Sequence, residues 1–156
     1  MSVRPIPEGY HSVTPYITVS DAAAAIDFYR QAFGATEALR LPMGDRIAHA
    51  EIRIGDSYVM LSDEFPEMDR LGPDKRGGST ASFMIYVEDV DAAFERAIAA
   101  GGTEERAVQD QFYGDRSGTL KDPFGHSWTL STHVEDVSED EIQRRMQAME
   151  STPEPA

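Results

Sequence analysis

Apolar and polar residues alternate along 12–19, then give way to a period of three and four at Ala22, Ala25, Ile26, Tyr29 and Phe33. Alternation places side chains on two faces of a strand, and the longer period gathers them on one face of a helix. Asp21 is placed to cap that helix and Gly34 to stop it. Pro15 inside the first run argues for an edge strand or a distorted one. Strands are then predicted at about 36–41, 46–54 and 57–63, the last two joined at Gly55-Asp56. The same succession returns further on, as a strand over 80–87, a helix over about 90–100 and strands near 103–109, 115–121 and 127–133.

The two successions match residue by residue at a separation of 68 positions: Val19, Asp21, Ala24, Ala25, Ile26, Asp27, Ala32 and Gly34 align with Val87, Asp89, Ala92, Ala93, Phe94, Glu95, Ala100 and Gly102. A unit seen only twice is no solenoid. It predicts an α+β fold of two tandem β-α-β-β-β modules forming a partly open, barrel-like sheet. One such sheet alone buries a single face, so the pairing is what makes a core, and it places a site between the copies. The modules occupy about 12–63 and 80–133 of a single domain over 1–137. The connection 64–79 has two prolines, three glycines and no period; it reads as a solvated linker or as a flap. Ser138 and Glu141 form a capping box for a helix over 138–150 with Ile142, Met146 and Met149 on one face. That stripe suits docking onto the body or onto a partner. The proline-rich, acidic end, 151–156, is expected to be disordered.

The chain of 156 residues has 14 basic and 28 acidic residues, a net charge of −14. Such a field opposes nucleic acid and anionic membranes and favours a cationic ligand, although charge also serves solubility. The absence of cysteine excludes disulfides, zinc thiolates and a cysteine nucleophile. No apolar run spans a bilayer and the N-terminus has no signal-peptide core, so a cytoplasmic protein is expected.

Ala25-Ile26-Asp27-Phe28-Tyr29, Phe33-Gly34 and Asp122-Pro123-Phe124-Gly125-His126, set in the doubled unit, resemble the vicinal oxygen chelate superfamily. That superfamily includes glyoxalase I, extradiol dioxygenases, fosfomycin-resistance enzymes and bleomycin-resistance proteins. The run 111–126 looks like its bacterial glyoxalase-like branch, and the resemblance extends over about 8–135. In metal-dependent members, His, Gln or Glu ligands come from the first and last strands of each module. Those positions fall here on Thr14, Met60, Ser82 and Thr129. Neutral hydroxyls and a thioether are poor ligands for the usual divalent ions, so the resemblance implies a fold without its metal.

Period two names the lining of the expected cavity: Thr14, Tyr16 and Thr18; Tyr58, Met60 and Ser62; Ser82, Met84 and Tyr86; and Ser127, Thr129 and Ser131. The opposite positions, Val13, Ile17, Val19, Val59, Leu61, Phe83, Ile85, Val87, Trp128 and Leu130, are expected under the helices. His49 and Glu51 share one strand face. Turned inward they would serve as base and orienter, or as ligands of a divalent metal at a non-standard site; turned outward they are a charged exterior. Asp115 and Arg116, near Phe112 and Tyr113, are the next candidates: Arg116 could clamp a ligand's anionic group, or the two pair with other charges and fix this strand entry. His126 sits in a turn sequence and is expected to stabilise it. The leading expectation is a metal-free homodimer that sequesters or carries an amphipathic or cationic aromatic compound. Its ligand contacts would be Tyr16, Tyr58, Met60, Ser82, Met84, Tyr86, Phe112, Tyr113, Arg116 and Thr129. The alternatives are a glyoxalase-like lyase, isomerase or transferase acting through His49 and Glu51, and a domain whose interface is its purpose.

Overall fold

Asp21 and Asp89 begin the two long helices of the body in the same way. Asp21 accepts a hydrogen bond from the amide of Ala24 at 3.0 Å and Asp89 from that of Ala92 at 3.1 Å. Each satisfies one of the donors left free at a helix start. In the computed structural model, which describes residues 2–152, these helices are α1 (Ala22–Phe33) and α3 (Val90–Ala99). Gly34 closes α1 at φ 68°, a left-handed turn that glycine makes without a Cβ penalty.

The first module contributes β1 (Tyr16–Val19), β2 (Thr36–Met43), β3 (Arg46–Ile54) and β4 (Ser57–Asp63), in the sheet order β1-β4-β3-β2. The second contributes β5 (Ser82–Tyr86), β6 (Thr103–Asp110), β7 (Asp115–Lys121) and β8 (Ser127–His133), in the equivalent order β5-β8-β7-β6. In each sheet the first strand runs parallel to the last, Tyr16 opposite Met60 and Met84 opposite Thr129, while the other pairs are antiparallel. The fold is α+β, two tandem modules whose sheets do not close. Among the described residues no ladder joins β1 to β5, so the two first strands are both free edges.

One face of each sheet lies under α1 and α3, and these helices pack against each other. Ile17, Val19, Val59, Leu61, Trp128 and Leu130 are buried there, and Phe83, Ile85 and Val87 pack partly buried against the same core. Between the modules lies an aromatic cluster in which Trp128 meets Tyr29 at 5.3 Å, Phe33 at 5.0 Å and Phe83 at 4.8 Å between ring centres. Buried Asp122 holds the cluster in register, accepting from the Tyr29 hydroxyl at 2.6 Å and the Trp128 indole at 2.9 Å. Its other oxygen accepts from the amides of Phe124 and His126, so the Asp-Pro-Phe-Gly-His turn is built around this carboxylate. His126 itself reaches the carbonyl of Thr18 at 3.0 Å, across the module boundary.

Three expectations change. β1 begins at Tyr16 rather than at residue 12, because Pro15 has no amide to give a ladder, and Val13 is 84% exposed instead of lying under a helix. The connection 64–79 is not bare: it contains a 3₁₀ turn (Pro66–Met68) and the short helix α2 (Pro73–Arg76), and it buries Phe65 and Pro73. Glu64 ties it down, accepting from Lys75 at 2.6 Å and from the Gly72 amide at 2.9 Å.

The C-terminal helix, α4 (Glu139–Glu150), is capped by Ser138 as its sequence predicts. Arg145 fastens it to the Phe112 carbonyl and to Glu135, while Met146 and Met149 stay exposed. Of the tail expected to be disordered, 153–156 lie outside the described residues. No described helix is long and apolar enough to cross a membrane.

Candidate functional site

The sheet faces turned away from the helices carry the polar half of each strand's alternation. On the first sheet Tyr16, Met60, Glu51 and Leu39 lie side by side across four strands, with His49 and Arg53 two positions to either side of Glu51. His49 and Glu51 therefore share the face of the predicted lining, half-buried, and are not a solvated exterior.

They are linked. His49 Nε2 lies 3.0 Å from one Glu51 oxygen and Nδ1 lies 2.9 Å from the Tyr16 hydroxyl. An ionised carboxylate only accepts, so Nε2–H donates to Glu51 and Nδ1 accepts from Tyr16 in the neutral ring. The other Glu51 oxygen accepts from Tyr10. Burial alone would raise the Glu51 carboxyl, but the hydrogen bonds from His49 and Tyr10 outweigh it and hold it below the usual carboxylate range. The Tyr10 phenol is pushed up to about 12, first by burial and then by Glu51, so it remains a donor at neutral pH. Tyr10 also stacks on Tyr58, with ring centres 4.1 Å apart and planes 11° from parallel.

The second sheet has its own carboxylate. Asp115, buried, accepts from Tyr86 at 2.9 Å, Ser131 at 3.1 Å and His133 at 2.8 Å. Here too burial works upward, and the hydrogen bonds from His133, Tyr86 and Ser131 prevail and lower the carboxyl. Bonds to Asp136 and Asp115 raise the His133 imidazole.

Between β5 and the segment that leads into β1 opens a cleft of about 640 Å³, bordered by His11, Thr14, Tyr58, Ser82, Met84, Tyr86 and Trp128. A second hollow of about 500 Å³ lies where residues 5–12 cross the first sheet, against Tyr10, Glu51 and Met60. Of the expected ligand contacts, Tyr58, Ser82, Met84 and Tyr86 border the cleft, Met60 borders the hollow, and Tyr16 caps the His49 relay. Thr129 is half-buried in the second sheet with its hydroxyl 2.8 Å from that of Thr119. Phe112 and Tyr113 pack edge to face outside the cleft.

Arg116 does not reach the cleft. It lies on the helix side of β7, with both Asp91 oxygens at 2.9 Å and Asp110 at 3.2 Å. The inward residue of that pair is Asp115, in phase with Ser117 and Thr119. Tyr10, which the sequence pattern did not single out, precedes any regular element and had no periodicity to mark it. The four positions that the resemblance marks for metal ligands, Thr14, Met60, Ser82 and Thr129, offer three hydroxyls and a thioether, and the Thr129 hydroxyl is engaged by Thr119. This donor set does not fit a hard divalent ion.

A family model for the glyoxalase/bleomycin resistance protein/dioxygenase superfamily matches residues 9–130. An uncharacterised protein of Mycobacterium bovis, Mb0911c, is 45% identical over 139 residues, covering 86% of this chain and 91% of its own. Among solved structures, TioX from Micromonospora sp. ML1 is 26% identical with a TM-score of 0.62, covering 82% of this chain and 100% of its own. PA1353 from Pseudomonas aeruginosa is 25% identical with a TM-score of 0.65, covering 80% and 99%.

Proposed function

The chain belongs to the glyoxalase/bleomycin resistance protein/dioxygenase superfamily, and we propose that within it this protein is a metal-free binding protein for a cationic, aromatic or amphipathic small molecule. The observation that carries this reading is the pair of carboxylates, Glu51 and Asp115. Both are held ionised by tyrosine and histidine donors, and among the described residues neither has a lysine or arginine partner. Glu51 borders the hollow beside Met60 and the Tyr10–Tyr58 stack, where a cation on an aromatic frame gains both Coulomb attraction and stacking, and Asp115, bonded to Tyr86 and His133, adds negative charge behind the second sheet's face. The net charge of −14 adds a long-range pull of the same sign.

The binding unit is a homodimer in this reading. Leu39, Leu41 and Met43 stand exposed along β2, a free edge exposed on both faces, and Tyr16, Met84 and Tyr86 are exposed near the cleft. A second copy covering these residues would bury apolar surface that now faces water. Light scattering on the purified protein measures this: a mass of two chains is expected, and a monomer at micromolar concentration rules it out. For binding, a thermal-shift screen of chelator-treated protein against planar cationic aromatics and their neutral isosteres is the test. Cations should raise the melting temperature and isosteres should not; equal response, or none, overturns the reading.

The hydrogen-bonded series Tyr16–His49–Glu51 supports a second reading, an enzyme in which the half-exposed Tyr16 hydroxyl passes a proton through the histidine. Turnover abolished by Tyr16→Phe, with binding retained, would select it.

A further inference from the structure

Residues 5–12 cross the face of the first sheet as a strap. A turn from the Pro7 carbonyl to the Tyr10 amide at 3.1 Å aims the Tyr10 ring inward. There the ring lies flat on Tyr58 while its hydroxyl donates to Glu51. The strap can lie this close because residue 9 is glycine: its φ is 82°, and a Cβ there would stand 3.2 Å from the Tyr58 ring. The Arg53 guanidinium sits 5.8 Å from the centre of the same ring. Tyr58, Glu51 and Arg53 thus form a platform, an anionic acceptor and a side wall, and the chain's own phenol fills the space between them.

We propose that this space is a ligand subsite for a planar aromatic ring bearing an O–H or N–H⁺ donor, and that Tyr10 is its internal competitor. The inference rests on the binding reading above and specifies which ligand feature enters where. A ligand ring replaces Tyr10 on Tyr58, its donor takes over the Glu51 oxygen, and the strap lifts to join the hollow at Glu51 to the cleft at Tyr58. Neither group is left unsatisfied in either state, so the exchange is nearly balanced. A strap closed nine-tenths of the time lowers apparent affinity about tenfold, since only the open fraction binds.

Tyramine, a phenol with an ammonium group, is the probe, titrated by calorimetry into the wild type, Tyr10→Ala, Gly9→Ala and Tyr10→Ala/Glu51→Gln. Tyr10→Ala is expected to bind about tenfold tighter than the wild type. Gly9→Ala, which loosens the strap but keeps the phenol, should fall between them, and the double variant should lose the gain. Tyramine binding no tighter to Tyr10→Ala, or undetectable in both proteins, overturns the proposal. The cationic aromatics of the thermal-shift screen separate the two claims. If they stabilise wild type and Tyr10→Ala equally, the competitor role falls while binding in the cleft stands; if they stabilise neither, the binding reading falls first.

Discussion

Replacing Asp122 with alanine should be among the costliest single changes at the module boundary. Asp122 is 4% exposed and accepts four hydrogen bonds: from the Tyr29 hydroxyl at 2.6 Å, the Trp128 indole at 2.9 Å, and the amides of Phe124 and His126 at 2.9 and 3.0 Å. Alanine leaves four buried donors without an acceptor, each costing about 1–3 kcal/mol. Among the described residues the carboxylate has no cation beside it, so removing it also recovers part of its own desolvation cost, which sets the sum near the low end, about 4 kcal/mol. For a chain of this size that lowers the melting temperature by roughly 8–16 °C. Tyr29→Phe removes one donor and leaves Asp122 three, so about 1 kcal/mol is expected. Urea unfolding followed through the single tryptophan, Trp128, which packs on the site itself, reads both variants. A loss below about 1 kcal/mol for Asp122→Ala would show that the carboxylate does not hold the modules in register. So would a Tyr29→Phe loss as large as that of Asp122→Ala.

The remaining predictions concern charge. Glu51 and Asp115 both titrate below ordinary carboxylates, so in acid the unfolded chain binds more protons than the folded one. Their contribution is complete above the unfolded value and fades as pH falls through the folded one; melting temperatures from about pH 5 downward should decline, and Asp115→Asn should flatten that decline. A decline equally steep in the variant would refute the assignment. Arg116→Gln should leave ligand affinity within twofold, because Arg116 is half-buried on the helix side of β7 and faces Asp91 and Asp110 away from the cleft. A large loss of affinity in calorimetry would return Arg116 to the site.

The fold was legible because the repeat repeated its punctuation. Asp21 with Gly34, and Asp89 with Gly102, bracket apolar-periodic helices, and alternation marked the strands on either side. Alternation put Tyr58, Met84 and Tyr86 on the sheet face turned from the helices, since period two fixes a side chain's face once the strand exists, yet the cleft at the β5 edge is also bordered by Val59, Phe83, Ile85 and Trp128 of the opposite parity. It failed where its premise failed. Val13 precedes the point at which a ladder can form, so its parity carried no meaning. Arg116 attracted attention by its charge, whereas its neighbour Asp115, in phase with Ser117 and Thr119, is the inward residue. The face of His49 and Glu51 stayed open because a half-polar strand looks alike from either side until a partner such as Tyr16 or Tyr10 is seen against it. Tyr10 and the docked connection around Phe65 and Pro73 owe their places to tertiary contacts that local pattern does not encode.

The reading stands or falls on Glu51 holding a cationic aromatic ligand, with no metal, in the hollow that it borders with Tyr10 and Met60. Calorimetric titration of chelator-treated protein with berberine, beside Glu51→Gln, tests it most directly. Saturable binding without added metal, weakened at least tenfold in the variant while it still unfolds in one cooperative transition, is the predicted result. Binding that appears only when a divalent ion is restored, or that is indifferent to Glu51, would contradict it.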